Sequence, residues 1–215
     1  MTPTPWIIIA ISVAYLLGSI PFGLLIAKAR GIDIRKTGSC NIGATNVMRS
    51  VGKRWGILTL LLDALKGLLP AATFPMLLHN MDLIPDVEGW FKIACGCAAI
   101  LGHNFPIYLK FKGGKGVATS AGVLIGIAPQ ALLIGLAAFA LVFATTRYVS
   151  LGSVIAAVVI PIAGVLLYRE DGPLIPSVLV ILSLLVIWRH KANLRRLLNG
   201  TENKIQFRKK KQQGD

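Results

Sequence analysis

Long apolar runs separated by short polar segments make up most of the chain. The runs cover residues 6–27, 55–78, 89–109, 117–146, 149–168 and 174–188. A helix needs about 20 apolar residues to cross the hydrocarbon core of a bilayer, and most of these runs are close to that length. The pattern therefore predicts an all-α, polytopic integral membrane protein built as a helix bundle.

The run at 117–146 is too long for one crossing. As a single helix its 30 residues would measure ~45 Å against a core of ~30 Å. Pro129 lies near the middle, and proline ends or kinks a helix because it lacks the backbone N–H and clashes with the preceding turn. We expect two shorter helices at about 117–128 and 130–146, which makes seven transmembrane helices in all.

The distribution of lysine and arginine also favours seven helices over six. The chain has 23 Lys and Arg against 9 Asp and Glu, a formal net charge of +14. These cations collect in cytoplasmic loops. With the N-terminus outside, seven helices leave 20 of the 23 on the cytoplasmic side, including the nine from Arg189 to Lys211. The C-terminus is thus predicted to be cytoplasmic, and this bias explains the charge without nucleic-acid binding.

Size and composition predict one domain. The 215 residues are 54% hydrophobic and 15% charged, whereas a soluble domain has roughly 25% charged residues. We expect one transmembrane domain at residues 1–200 and a basic, disordered cytoplasmic tail at 201–215 that is attracted to anionic lipid head groups. The three cysteines and three histidines are dispersed, so neither a disulfide nor a metal site is predicted.

Three polar segments fall on the cytoplasmic face in this topology: residues 31–54, 110–116 and 189–202. They supply cations, hydroxyls, amides and glycines, but only two carboxylates, Asp33 and Glu202. Acid–base chemistry with paired carboxylates and divalent metal sites both need acidic groups. The composition therefore favours an anionic substrate held directly by protein cations and dipoles. The alternative is a solvated positive face without a site.

The segment 111–116 (FKGGKG) is the most informative of these signals. Glycines let backbone N–H groups approach an oxyanion closely, and lysines add charge, so the loop suits phosphate binding. The P-loop pattern does not match, because Lys115 is followed by Gly116 rather than by Ser or Thr. A basic turn flanking the membrane is the alternative interpretation.

Five other positions are candidates for chemistry. Asp63 and Lys66 lie three apart within one apolar run, and we favour a structural ion pair over a functional role for them. His190 and Asn193 lie on one side of a helical turn and could orient a substrate hydroxyl, or His190 could act as a base. His103 is a candidate buried hydrogen-bonding group near the site.

Three blocks of sequence together resemble the bacterial acyl-phosphate:glycerol-3-phosphate acyltransferase family. The first is residues 38–47 (GSCNIGATNV) with Arg49. The second is residues 103–106 (HNFP) followed by 111–119 (FKGGKGVAT). The third comprises His190, Asn193, residues 195–197 (RRL) and residues 200–202 (GTE). Their joint occurrence in this order is specific, and the likeness covers nearly the whole chain.

The resemblance implies a seven-helix enzyme of the bacterial inner membrane with its active site facing the cytoplasm. Such an enzyme moves a fatty acyl group from acyl phosphate to the 1-hydroxyl of glycerol 3-phosphate. The product is lysophosphatidic acid for phospholipid biosynthesis, and no metal or other cofactor is used. The implied partners are these two substrates, membrane lipid and, as a candidate, the enzyme that supplies acyl phosphate.

The resemblance also implies the site residues. Catalytic roles fall to Ser39, Arg49, Lys115, His190 and Asn193, and substrate or phosphate binding to Asn41, Thr45, Asn46, Lys112, Gly113, Gly114 and Gly116. The proton of the attacking hydroxyl could pass to His190 or to the substrate's own phosphate. One departure is Cys40, which stands where the family usually has a glycine. Cysteine would be strained there if the position requires a positive φ.

Two other functions remain open from the residues alone. An anion or lipid-phosphate transporter could carry the same basic loops, although the chain lacks the internal repeat common in transporters. A membrane scaffold for lipid enzymes is the other alternative. No histidine is followed by aspartate five positions later, so the His–Asp dyad of acyl-CoA-dependent glycerophosphate acyltransferases is absent, which favours acyl phosphate as the donor.

Overall fold

A computed structural model describes residues 3–84 and 89–205, and in this part of the chain the regular secondary structure is all helical, with no strand. The helices are α1 (Thr4–Ser19), α2 (Phe22–Ala29), α3 (Ala44–Ser50), α4 (Lys53–Asn80), α5 (Gly89–Asn104), α6 (Val117–Ile127), α7 (Pro129–Thr146), α8 (Val149–Tyr168), α9 (Leu174–Arg189) and α10 (Lys191–Leu198). A short 3₁₀ turn, Ile107–Leu109, follows α5. The predicted all-α class is confirmed for the described residues.

The predicted break at Pro129 is confirmed. Helix α6 ends at Ile127, Ala128 has φ −149° and ψ 61°, and α7 begins at Pro129. Proline fits the first helical position because the missing N–H would have no intrahelical partner there. The first apolar run is also broken, because α1 ends at Ser19 and α2 begins after Pro21.

The helices differ in their capacity to cross a membrane. Four stretches are long and apolar enough: Thr4–Ala29, Lys53–Asn80, Pro129–Thr146 and Val149–Tyr168. A fifth candidate is α9 together with α10, which are bent by 56° relative to each other. Helix α6 has 11 residues, or ~17 Å at 1.5 Å per residue, which is shorter than the hydrocarbon core. The count of seven spans and the orientation of the termini stay predictions.

Helix α4 lies at the centre of the bundle and packs against α5 and α6, while α1 packs on α5 and α8 packs on α7 and α9. The contact between α4 and α6 depends on glycine. A Cβ atom at Gly67 would overlap the carbonyl oxygen of Thr119, and one at Gly122 would overlap that of Ala64. Small residues thus let the two backbones approach closely, as is common between membrane helices.

Asp63 and Lys66 form the predicted ion pair inside this bundle. Lys66 Nζ lies 2.8 Å from Asp63 Oδ1, and both side chains are buried. Lys66 Nζ also donates a hydrogen bond of 2.7 Å to the carbonyl oxygen of Ile20, which the break between α1 and α2 leaves without a helical partner. His103 Nδ1 lies 3.6 Å from the same Asp63 oxygen. The pair therefore joins α4 to the break in the first apolar run.

Candidate functional site

A polar cavity lies where the loop before α3, the loop before α6, the start of α8 and the bend between α9 and α10 meet. Its empty volume is about 850 Å³, including the open mouth. The side chains that could bind a substrate there are Ser39, Asn41, Thr45, Arg49, Asp63, His103, Lys115, Ser150, His190, Asn193, Glu202 and Asn203. All three polar segments predicted from the sequence contribute to this one cavity.

Asn46 shapes the first of the contributing loops. Its side-chain nitrogen donates to the backbone carbonyls of Ile34, Thr37 and Asn41, at 3.2, 3.0 and 2.9 Å. Its side-chain oxygen accepts a hydrogen bond of 3.0 Å from the backbone N–H of Ser39. The buried amide is thus fully engaged within the loop, and Asn46 does not line the cavity.

Cys40 has φ +56°, so this position is in the left-handed region. The strain that we expected for a cysteine in place of glycine therefore applies here, at a cost on the order of 1–2 kcal/mol. The Cys40 side chain is exposed and does not line the cavity. Its neighbours Ser39 and Asn41 do line it, so the turn at Cys40 directs the residues on both sides towards the site.

The second loop has its glycines where backbone packs on backbone. The N–H groups of Gly113 and Gly114 donate to the carbonyls of Asn104 and His103, at 3.2 and 3.1 Å. The carbonyls of both glycines accept hydrogen bonds from the Arg189 guanidinium. A Cβ atom on either glycine would overlap the end of α5. Neither glycine lines the cavity, and nor does the exposed Lys112.

Lys115 projects from this loop into the cavity. Its Nζ donates a hydrogen bond of 2.5 Å to Asn193 Oδ1, which joins the second polar segment to the third. The pKa of Lys115 is lowered to about 8, mainly by burial; the charge of Glu202 opposes this shift, and the charges of Arg196, Arg189 and Arg49 add to it. The lysine remains mostly protonated near neutral pH and is available to attract an anion.

His190 and Asn193 lie at the bend between α9 and α10, and both are buried. His190 Nδ1 lies 2.8 Å from the carbonyl oxygen of Val186. A carbonyl can only accept, so Nδ1 carries the proton in the neutral ring and Nε2 is left as an acceptor. Burial, followed by the charge of Lys115, lowers the pKa of His190 to about 4. The ring is therefore neutral at pH 7.

Sequence reasoning missed Ser150 and Glu202 as cavity residues. Ser150 Oγ and Asn193 Nδ2 donate to Glu202 Oε1 at 3.0 and 2.7 Å, and Arg196 forms an ion pair of 2.7 Å with the other carboxylate oxygen. Burial alone would raise the pKa of Glu202, but these hydrogen bonds lower it. The sequence carried a signal for Glu202, because it is one of only two acids in the polar segments. Ser150 had none.

Residues 201–205 belong to the predicted tail, yet they lie against the bundle. Glu202 has the contacts just given, and the N–H of Ile205 donates to the carbonyl of Arg147 at 3.0 Å. Residues 206–215, the rest of that predicted tail, lie outside the described residues. The beginning of the predicted tail is therefore ordered against the bundle, and Glu202 and Asn203 form part of the cavity wall.

An apolar cavity adjoins the polar one. It lies between α6, α7, α8 and α9, has an empty volume of about 580 Å³ and is lined mainly by Leu, Ile, Ala and Val side chains. Val117, Phe139 and Ser153 line both cavities. A molecule with a polar head and an apolar chain could occupy the two together.

The structure brings together eight of the twelve residues predicted for the site. These are Ser39, Asn41, Thr45, Arg49, Lys115, Gly116, His190 and Asn193, whereas Asn46, Lys112, Gly113 and Gly114 are not on the cavity wall. Asn46, Gly113 and Gly114 instead hold the loops in place. Within residues 3–84 and 89–205, no group of three or more His, Cys, Asp or Glu side chains is arranged to hold a metal ion.

The fold and site define an integral membrane protein with a cationic cavity at one end of a helix bundle. A family described as "Glycerol-3-phosphate acyltransferase" matches residues 8–200. A protein of that name from Geotalea daltonii is 52% identical over 196 residues, which are 91% of this chain and 96% of the relative. The corresponding protein from Geobacter sulfurreducens is 48% identical over 92% of this chain and 97% of its own length.

Two solved structures are also similar. Both are described as PlsY (YgiH), an integral membrane glycerol 3-phosphate acyltransferase. The glycerol 3-phosphate form has 37% identity and a TM-score of 0.80, and covers 93% of this chain and 96% of its own. The lysophosphatidic acid form has 36% identity and a TM-score of 0.78, and covers 93% and 95%. The chain belongs to the glycerol-3-phosphate acyltransferase family, and it is an integral membrane enzyme of phospholipid synthesis.

Proposed function

We propose that this enzyme transfers a fatty acyl group from acyl phosphate to the 1-hydroxyl of glycerol 3-phosphate and releases lysophosphatidic acid and phosphate. The observation that carries the proposal is the junction of the two cavities. A cationic pocket with Arg49 and Lys115 shares three wall residues with an apolar one of about 580 Å³. An acyl phosphate has the same division into an anionic head and an apolar chain.

The charges in the polar cavity fit two phosphate-bearing substrates. Phosphate groups held close together repel each other, and that repulsion must be offset by cations and hydrogen-bond donors. Arg49 and Lys115 supply the charge, and Ser39, Asn41 and Thr45 supply hydroxyl and amide groups from the first loop. The two carboxylates on the wall are already engaged, because Asp63 pairs with Lys66 and Glu202 pairs with Arg196.

The protonation of His190 supports the substrate phosphate as the proton acceptor. A base with a pKa of about 4 binds a proton weakly at pH 7, whereas a phosphate monoester has a second pKa of about 6. With Nδ1–H donated to Val186, the free Nε2 of His190 can accept a hydrogen bond from the attacking hydroxyl and hold it in place. Acyl phosphate is a mixed anhydride with a good leaving group, so a strong base is not needed.

The positions of the cations support a cytoplasmic site in the bacterial inner membrane. The cavity is lined or flanked by Arg49, Lys115, Arg189 and Arg196, and Lys and Arg are enriched on the cytoplasmic side. Glycerol 3-phosphate would enter from that side. Acyl phosphate would come from the membrane or from the enzyme that supplies it. Residues 1–200 would form the catalytic domain, with seven spanning helices.

A comparison of acyl donors tests the proposal. Purified protein in detergent receives glycerol 3-phosphate and equal concentrations of palmitoyl phosphate or palmitoyl-CoA, with EDTA present. We expect lysophosphatidic acid acylated at the 1-position from palmitoyl phosphate and none from palmitoyl-CoA. A comparable rate from palmitoyl-CoA would contradict the donor assignment, and loss of activity in EDTA would contradict the absence of a metal.

A further inference from the structure

Arg189 is the last residue of α9 and contacts the loop that carries Lys115. Its Nε donates to the carbonyl of Gly114 at 2.9 Å, and its Nη2 donates to the carbonyls of Gly114 and Gly113 at 2.5 and 2.7 Å. Arg189 does not line the cavity. Its guanidinium therefore acts on the loop and does not itself face a substrate.

The backbone of this loop has little freedom once Arg189 is in place. The N–H groups of Gly113 and Gly114 donate to the carbonyls of Asn104 and His103, so each glycine is held on one side by α5 and on the other by Arg189. Hydrogen bonds from a charged donor are stronger than those between neutral groups. The next residue along the chain is Lys115, so these hydrogen bonds on both sides of the two glycines also fix the position of Lys115.

The guanidinium is itself held by two aromatic rings. Its central carbon lies 5.4 Å from the ring centroid of Phe105 and 5.8 Å from that of Trp188, and the two rings are 6.2 Å apart. Arginine suits this place because its planar group can stack on rings while its nitrogens donate to two carbonyls. A lysine ammonium is not planar and has no rigid fork of donors, so it cannot stack flat on the rings and donate to both carbonyls in the same geometry.

We propose that Arg189 is a positioning residue that clamps the Gly113–Gly114 backbone and so fixes Lys115 against Asn193 for substrate binding. Arg189 thereby fixes the position of the second polar segment relative to the third, although Arg189 and Gly114 are 75 residues apart along the chain. The effect of Arg189 on activity then operates through Lys115. This inference rests on the proposed function only in that its assay uses palmitoyl phosphate as the donor.

A double-mutant cycle tests this dependence. The variants are Arg189→Lys, Lys115→Met and the double variant, and kcat/KM for glycerol 3-phosphate is measured for each. We expect Arg189→Lys to lose on the order of tenfold or more, the scale for a modest misplacement of a binding group. We expect the double variant to lose no more than Lys115→Met alone. Additive losses would overturn the proposal, because independent effects add.

The pH dependence provides a second readout that a merely structural residue would not move. In Arg189→Gln a neighbouring positive charge is removed and the loop is released towards water, and both changes raise the pKa of Lys115 from about 8. The alkaline decline of kcat/KM should therefore shift to higher pH. A loss of folded protein would lower the rate without a shift, and an unshifted profile would count against the clamp.

Arg169 provides the matched control, because it is exposed at the far end of α8, away from the cavity. Arg169→Lys and Arg169→Gln should keep wild-type kinetics.

If the wild-type enzyme makes no product from palmitoyl phosphate, the donor proposal fails and the same cycle is run with the donor that works. If the wild type is active and the cycle is additive, the positioning role of Arg189 fails.

Discussion

Lys66, which is buried, and Lys115, which is partly buried, show how local partners decide the role of a charge. Lys66 is neutralised by Asp63 at 2.8 Å and also donates to a backbone carbonyl, so its charge is used inside the protein. Lys115 Nζ donates to the uncharged amide oxygen of Asn193, and no carboxylate forms an ion pair with it among the described residues. The charge of Lys115 is therefore available to a bound phosphate, whereas that of Lys66 is not.

Removing the charge of Lys115 should reduce turnover strongly. We expect Lys115→Met to lower kcat/KM for glycerol 3-phosphate by ~10²-fold or more, the scale for a lost electrostatic group in a site. The measurement is steady-state formation of lysophosphatidic acid in detergent. Lys36→Met is the control, since Lys36 is exposed and outside the cavity. Equal losses in both variants would mean that surface potential alone explains the need for charge.

The pH profile should report the same lysine. Its pKa is lowered to about 8, so the charged form predominates below pH 8 and declines as the pH rises through that value. Because kcat/KM reports the free enzyme, kcat/KM for glycerol 3-phosphate should fall above about pH 8. In Lys115→Arg the side chain stays charged, and this alkaline decline should be absent. A decline that persists in Lys115→Arg would assign it to another group.

At the scale of the helices, the bundle is held at its centre by close contact between α4 and α6. Helix α6 has only 11 residues, and it carries the Lys115 loop at its N-terminal end. Gly67 and Gly122 permit the contact because each faces a backbone carbonyl of the other helix. Packing of α6 on α4 thus sets where the second polar segment emerges.

Two glycines on α6 should respond differently to alanine. In Gly122→Ala the new methyl group meets the backbone of Ala64, which cannot move without shifting α4. We therefore expect the free energy of unfolding to fall by about 1–3 kcal/mol. Gly126→Ala is the matched control, because its Cβ would lie 3.7 Å from Ala71 and Ala72, an ordinary contact. Thermal unfolding in detergent checks both. Equal melting temperatures would show that α6 and α4 are not tightly packed.

The whole molecule has polar chemistry at one end and apolar surface along its sides. Leu141 and Leu166 are each 68% exposed, as expected for side chains that face lipid. The polar cavity groups instead lie together where the loop before α3, the loop before α6, the start of α8 and the bend between α9 and α10 meet. An anionic substrate from water and an acyl chain from the bilayer could then meet at one membrane face. With glycerol 3-phosphate supplied from the cytoplasm, the proposed function predicts that the cavity end is cytoplasmic.

Topology can be tested directly. A reporter fused to the C-terminus should be cytoplasmic, and a cysteine introduced at Asp171 should react with an impermeant thiol reagent from outside the cell. The reason is the concentration of Lys and Arg on one side when seven helices are counted. The same cysteine at Lys36 should be protected in intact cells and react after permeabilisation. A C-terminus on the outer side would end the seven-helix topology.

The apolar runs, Pro129 and the loop compositions determined much of this protein by themselves. Hydrophobic length dictates membrane helices, and proline ends a helix through its own backbone, so both features can be predicted locally. The charged and glycine-rich segments indicated an anion site, because cations and close-approaching backbone N–H groups are properties of the residue types themselves. Residue type made Lys115, His190 and Asn193 candidates, and the family resemblance implied that they belong to one site.

Only the tertiary structure decided how these segments meet. Gly113 and Gly114 have the composition of a phosphate loop, yet their N–H groups are used by the end of α5 and their carbonyls by Arg189. Ser150 and Glu202 meet across 52 residues, and Lys115 and Asn193 across 78. Such pairings depend on how the helices pack in space. Hydrophobic pattern and backbone propensity are local, and they do not tell which residues far apart in the sequence come into contact.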